Sequence, residues 1–194
     1  MRKLIVLSFM TLDGVMQAPG LPEEDPSGGF KFGGWTVPYF DEFLDGVMSE
    51  QMGHPFDLLL GRKTYDIFAR FWPQRTSETA AALNKATKYA VSHKPLKSDW
   101  KTTVHISGDV AGEIRKLKSG NAAELQVHGS GNLIQTLLKN DLVDELWLKT
   151  FPVVLGTGKK LFADGTVPAR FSMENNSVSP SGVVVATYRR EGEV

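Results

Sequence analysis

The chain has 194 residues, 41% hydrophobic and 10% aromatic, enough for one well-buried core and short for two. Its 22 basic residues balance 22 acidic ones, which leaves no overall electrostatic footprint for nucleic acid or an anionic membrane. The absence of cysteine excludes disulfides, thiolate-held iron–sulfur clusters and cysteine-ligated zinc, and suits a reducing, cytoplasmic setting.

No apolar run approaches the roughly 20 residues needed to cross a bilayer as a helix. The opening "MRKLIVLSFMTLDG" meets Asp13 early and lacks a small-residue cleavage pattern, so no signal peptide is expected. Strand-length apolar runs then recur: "KLIVLSF" (3–9), "FDLLL" (56–60), "KYAVS" (88–92), "TTVHIS" (102–107) and "ELQVH" (124–128). Helical patterns fall between them at about 38–53, 62–70, 77–86, 109–118 and 130–139. This alternation predicts a largely parallel α/β sheet with helices on both faces. From "DELWLKTFPVVL" through "ARFSMENNSV" to "GVVVATYRR" the pattern is strand-like without helices, which predicts an antiparallel edge. A single domain over 1–194 follows, with no internal repeat or linker.

Residues 13–37, rich in glycine and proline, have no usable period. A loop that long in a compact domain is usually functional or disordered. Its aromatics Phe30, Phe32 and Trp35 favour a packed lid or pocket wall.

In "VHGSGNLIQTLL", Gly129 and Gly131 separate a strand from a helix, so the helix aims its unpaired N–H groups beyond the strand end. That geometry can hold an anion, although a tight turn needs glycine for structure alone. It is not the full Rossmann fingerprint, because Ile134 stands at the third glycine position. "LLLGRKTYDIF" repeats the arrangement with Gly61, Arg62, Lys63 and Thr64; Phe56 occupies the first glycine position of a P-loop and excludes that motif. Arg62 could grip a phosphate bidentately or lie in a solvated basic turn. In "AVSHK", Ser92, His93 and Lys94 form a third turn that could line an adenosine phosphate or be a plain polar turn. Three such turns point to one elongated, multiply phosphorylated ligand, best a dinucleotide.

Two acids stand out. On a helix over 38–53, Asp41 falls at the edge of an apolar arc of Phe40, Phe43, Leu44, Val47, Met48 and Met52, between Met48 and Met52, while Glu42 points away. It reads either as a substrate-side carboxylate or as a first-turn acid that complements the helix dipole. Asp13 in "LDG" reads as an Asx turn or a second candidate acid. His54, His93, His105 and His128 have no metal-ligand spacing, Trp147 and Phe151 read as packing, and Lys159 and Lys160 as surface charges or phosphate contacts.

The order of "MTLDGV", "GGWTVPYFDEF", "LLLGRKTYDIF", "VSHK", "VHGSGNLIQTLL" and "LVDELWLKTFPVVLGTGKKLF" resembles the dihydrofolate reductase superfamily over nearly the whole chain. It is most similar to the family of the C-terminal reductase domain of the riboflavin-biosynthesis deaminase-reductase. The resemblance implies a three-layer dihydrofolate-reductase-like fold and NADPH lying across the strand ends. Gly61, Arg62, Lys63, Thr64, Ser92, His93, Lys94, Gly129, Ser130, Gly131, Asn132 and Leu133 would contact that cofactor. It further implies Asp41 or Asp13 as the substrate-side acid and a heterocyclic substrate, either a pterin or a ribosylaminopyrimidine. Dihydrofolate reductases carry a Gly-Gly pair with a cis peptide where this chain has Gly129-Ser130. Such relatives often pair, and the edge of the last strands offers a route to a homodimer. The competing expectation is a non-catalytic NADP-binding module.

Overall fold

The computed structural model describes all 194 residues. Eight strands form one sheet: β1 (Leu4–Thr11), β2 (Phe56–Gly61), β3 (Lys88–Val91), β4 (Thr103–Ile106), β5 (Glu124–Val127), β6 (Glu145–Phe151), β7 (Arg170–Val178) and β8 (Val184–Gly192). Their order across the sheet is β4, β3, β2, β5, β1, β6, β8, β7. The first six are mutually parallel, including β6 on β1 with Val6 beside Leu146. The antiparallel part begins one strand later than the sequence pattern implied, with β8 on β6 and β7 on β8.

Alternation along the central strands divides the core between two faces. Leu4, Val6, Leu59, Leu125 and Val127 meet Ile114 of α4 (Val110–Ser119) and Leu133, Ile134 and Leu137 of α5 (Gly131–Lys139). Leu58, Leu60 and Ala90 face the other way, toward Tyr65 of α2 (Arg62–Phe71) and Leu83 of α3 (Glu78–Lys85). The remaining helix, α1 (Glu42–Gln51), buries Leu44 against Phe151, Val183 and Val185. The result is the expected three-layer α/β fold. No helix is long and apolar enough to cross a membrane.

The segment 13–37 is a packed wall. Trp35 is buried and donates its ring N–H to the Gln17 carbonyl at 2.8 Å. The buried Gln17 amide donates to the carbonyls of Asp25 and Ser27, both at 2.9 Å, and its oxygen accepts from Lys159 N–H at 3.0 Å. One side chain thus ties both arms of the loop to the turn before Lys160.

α1 begins later than the hydrophobic pattern predicted. A short 3-10 turn over Val37–Tyr39 precedes it, and Asp41 has extended backbone and caps the helix. The continuous helix from 38 that placed Asp41 on an apolar arc therefore does not form.

Candidate active site

The strand order sets β3, β2 and β5 side by side, so their C-terminal turns line up about 4.8 Å apart per strand. The two glycine turns touch. Gly61 N–H donates to the Gly129 carbonyl at 3.1 Å, and a Cβ on Gly61 would stand 2.1 Å from Ser130 Oγ. Gly129 has φ +135°, and a Cβ there would stand 2.8 Å from Thr64 Oγ1. Only glycine at both positions lets α2 and α5 start this close together. The Gly129-Ser130 peptide is cis, as in the Gly-Gly pair of the resemblance.

Beside this junction opens a cavity of about 370 Å³. Lys63, Thr64, Ser130 and Gly131 line one end of it together with Met16, Gln17 and Lys159. α2 and α5, which start here, have no side-chain cap and no acid in the first turn. The first-turn N–H groups of both helices therefore lack the partners that caps supply elsewhere. Lys63 and Lys159 add positive charge: Lys159 Nζ lies 2.5 Å from Asp25 Oδ2, and Lys63 Nζ lies 3.8 Å from Asp25 Oδ1. Two cations thus share one carboxylate. The closeness of Lys159 holds the Lys63 ammonium below its ordinary value, with burial adding to the effect. Added negative charge would relieve that repulsion.

Other expected cofactor contacts are placed differently. Arg62 turns back along its own helix, Nε 3.4 Å from Asp66 Oδ2, and is not part of the cavity wall. Leu133 is buried in the core under α5, and Asn132 is exposed. The Ser92 hydroxyl closes its own turn, donating to the Lys94 carbonyl at 2.7 Å and accepting from Lys94 N–H at 3.1 Å. His93 and Lys94 are exposed at the end of β3, beside β2.

The two acids also lie outside the cavity wall. Asp41 accepts from Leu44 N–H at 3.0 Å and Ser181 N–H at 3.3 Å; these bonds, the first above all, hold its carboxyl below the usual range. It sits about 10 Å along the helix axis from Met48, at the opposite end of α1 from the cavity. Asp13 accepts from the Thr11 hydroxyl at 2.5 Å and Gly156 N–H at 2.8 Å, and the Thr11 bond is the main cause of its lowered pKa. Both carboxylates complete backbone turns. Asp41 caps α1 from outside its first turn, and Asp13 ties the turn at Leu155 and Gly156 to the end of β1 where an Asx turn was expected.

The other end of the cavity is apolar: Phe9, Met48, Met52, Phe68, Phe71 and Trp72 surround two polar groups, His128 and Lys149. Burial drives the His128 pKa down to about 3, with the Lys149 charge adding to it, so the imidazole is neutral. Its Nε2 lies 3.3 Å from Gln126 Oε1. Lys149, on β6, is 1% exposed and donates to Gln51 Oε1. Sequence reasoning passed over it, although its signal was present. Trp147, Lys149 and Phe151 share one strand face, and a lysine between two aromatics there is a charge facing inward.

A parallel sheet thus carries two uncapped helix starts and two lysines around one cavity at its strand ends. The chain belongs to the RibD C-terminal domain family, whose model matches residues 2–186. That is the reductase family its motifs resemble. Among its relatives is the uncharacterized protein YyaP of Bacillus subtilis, 28% identical over 200 residues that cover 98% of this chain and 96% of YyaP. A putative riboflavin biosynthesis protein from Shewanella shares the fold with TM-score 0.70 and 22% identity, covering 97% of this chain and 99% of that one. Dihydrofolate reductase from Enterococcus faecalis, solved with NADP(H), shares it with TM-score 0.61 and 14% identity, covering 97% and 96%.

Proposed function

We propose that this protein is an NADPH-dependent reductase that transfers hydride to a small organic molecule held at the apolar end of the cavity. The observation that carries the reading is the paired, uncapped and acid-free start of α2 and α5 at one wall of that cavity. Thr64, Ser130 and Gly131 would meet the cofactor's diphosphate with backbone N–H and hydroxyl groups, and Lys63 and Lys159 would neutralise it. His93 and Lys94, exposed at the neighbouring strand end, suit the 2′-phosphate. When bound, NADPH supplies the hydride; the chain's part is to hold it, exclude water and deliver a proton.

Family membership favours a substrate of the riboflavin-pathway type over a pterin. The Asp41 capping bonds also weigh against the pterin, whose binding acid that residue was expected to be. Mixing the protein with NADPH and each candidate substrate, while following the reduced nicotinamide absorbance, tests the reading. NADPH binding by calorimetry with substrate-dependent oxidation supports it. Failure of NADPH and NADH to bind at millimolar concentration overturns it. Binding without oxidation by any substrate favours the non-catalytic module.

A further inference from the structure

The apolar end of the cavity contains a cation without a carboxylate. Lys149 Nζ carries three N–H donors, and the protein group it donates to is the neutral side-chain carbonyl of Gln51. No Asp or Glu oxygen pairs with it, although every other close cation of the cavity has one: Lys63 and Lys159 both reach Asp25. The two carboxylates in the wall are already occupied. Glu24 Oε2 accepts from Gly20 N–H at 2.7 Å and Leu21 N–H at 3.2 Å, and Asp25 is held by Lys159 and by the Ser27 hydroxyl at 2.6 Å. A heterocycle that presents a row of N–H donors, as an amidine-like ring edge does, would meet an ammonium and apolar side chains here.

Resting on the reductase reading, but departing from the donor-rich riboflavin-pathway substrate that family membership favours, we infer that Lys149 is the substrate-contacting cation and that the substrate is an apolar carbonyl compound whose oxygen sits on Lys149 Nζ. A buried ammonium is stabilised by an oxygen acceptor and repelled by a donor edge, so this one residue selects the polarity of the substrate. Hydride addition to the carbonyl carbon breaks the C=O π bond, and the electron pair moves to oxygen. That oxygen takes a proton from Lys149 Nζ, giving an alcohol, and the neutral amine regains a proton from solvent. Overall, a carbonyl, NADPH and one proton become an alcohol and NADP⁺. Burial lowers the Lys149 pKa to about 7, which suits an ammonium that gives up its proton near neutrality. Neutral His128 in the same wall adds no competing charge.

Two fragments of equal shape and opposite polarity test this without turnover: benzoate, an oxygen acceptor, and benzamidine, a cationic donor edge. Calorimetric titration of the NADP⁺-saturated protein should show benzoate binding at least tenfold more tightly than benzamidine. Lys149→Met should remove that preference while NADP⁺ affinity changes less than threefold and the melting transition stays cooperative. Lys149→Gln serves as a second variant should the methionine disturb packing, and should likewise abolish the preference. Aromatic aldehydes should be reduced by the native protein and at least 100-fold more slowly by either variant. A native preference for benzamidine, or a benzoate preference that survives both variants, overturns the inference. NADP⁺ failing to bind the native protein is a separate result that removes the reductase reading itself.

Discussion

The five helices start in two ways. α1, α3 and α4 begin with a side chain that accepts from their own first turn: Asp41 from Leu44 N–H, Ser77 from Ala80 N–H and Asp109 from Gly112 N–H. Each of these also carries an acid in its first turn. α2 and α5 have neither, and both start at the glycine turns beside the cavity, whose wall also takes Thr79 from the first turn of the capped α3. A helix without a cap or first-turn acid forgoes about 1 kcal/mol or more of stabilisation. The two open ends are the ones that meet at the glycine turns, and on the reading proposed above a ligand anion would complete them.

The largest effect should come from closing one open end with the wrong charge. A Cβ on Gly131 would meet only Met16 Sδ at an ordinary 3.6 Å, so Gly131→Asp has room to fold. An acid at that position also complements the α5 dipole. NADPH affinity should nevertheless fall about 100-fold or more, which corresponds to roughly 2.7 kcal/mol, with the melting temperature unchanged or slightly higher. Calorimetry and thermal melts on one preparation check both. Retained affinity breaks the comparison, because the α5 end would then not face a phosphate.

Gly61→Ala separates close approach from charge. Its new methyl would stand 2.1 Å from Ser130 Oγ and 3.0 Å from Ser130 N, the latter a backbone atom with little room to give. We expect a loss of about 1–3 kcal/mol in denaturant unfolding, as for other overpacked sites, together with weakened NADPH binding. Unaltered stability would mean that the two turns can separate freely.

A smaller effect is expected at the third turn. NADPH should bind at least tenfold more tightly than NADH, about 1.4 kcal/mol, and Lys94→Ala should narrow that ratio without changing NADH affinity. Equal affinities of the native protein for the two nucleotides remove this turn from the site.

The two ends of the cavity were unequally legible in the sequence, and the reason is physical. Main-chain anion sites need glycine at a strand-to-helix junction, and such needs are local: "LLLGRKTY" and "VHGSGNL" display them within a few residues. The apolar end is assembled from β1, β6, α1, α2 and the 13–37 wall, and tertiary folding alone brings these together. Lys149 leaves only a faint local sign, its place between Trp147 and Phe151 on one strand face, which gains meaning once β6 is known to lie inside the sheet. Asp41 was misplaced for a related reason. The apolar period runs through residues 38–53, but Pro38 sits in a separate 3-10 turn and extended backbone at Asp41 restarts the chain as a helix. Hydrophobic spacing does not register that break, whereas an aspartate three residues before Leu44 is an N-cap signal.

Asp41 therefore gives the smallest effect and the finest test of the comparison between closed and open helix ends. Asparagine caps a helix nearly as well as aspartate, so Asp41→Asn should cost little at any pH, while Asp41→Ala removes the acceptor and should lower the melting temperature by roughly 2–4 °C. The carboxylate is held below its ordinary value of 3.8 by the Leu44 and Ser181 bonds. A folded pKa below the unfolded one means that its charge-dependent contribution is fully present above 3.8 and is lost as pH falls toward the lower folded value. The gap between native protein and Asp41→Asn should thus shrink on acidification, whereas the gap to Asp41→Ala should persist in part, because a protonated carboxyl still offers an acceptor. NADPH affinity and the rate of hydride transfer should be the same in all three proteins. A hundredfold slower single turnover in Asp41→Asn, with its melting temperature intact, would return Asp41 to the chemistry and show that a capping acid can also serve the cavity from the far end of α1.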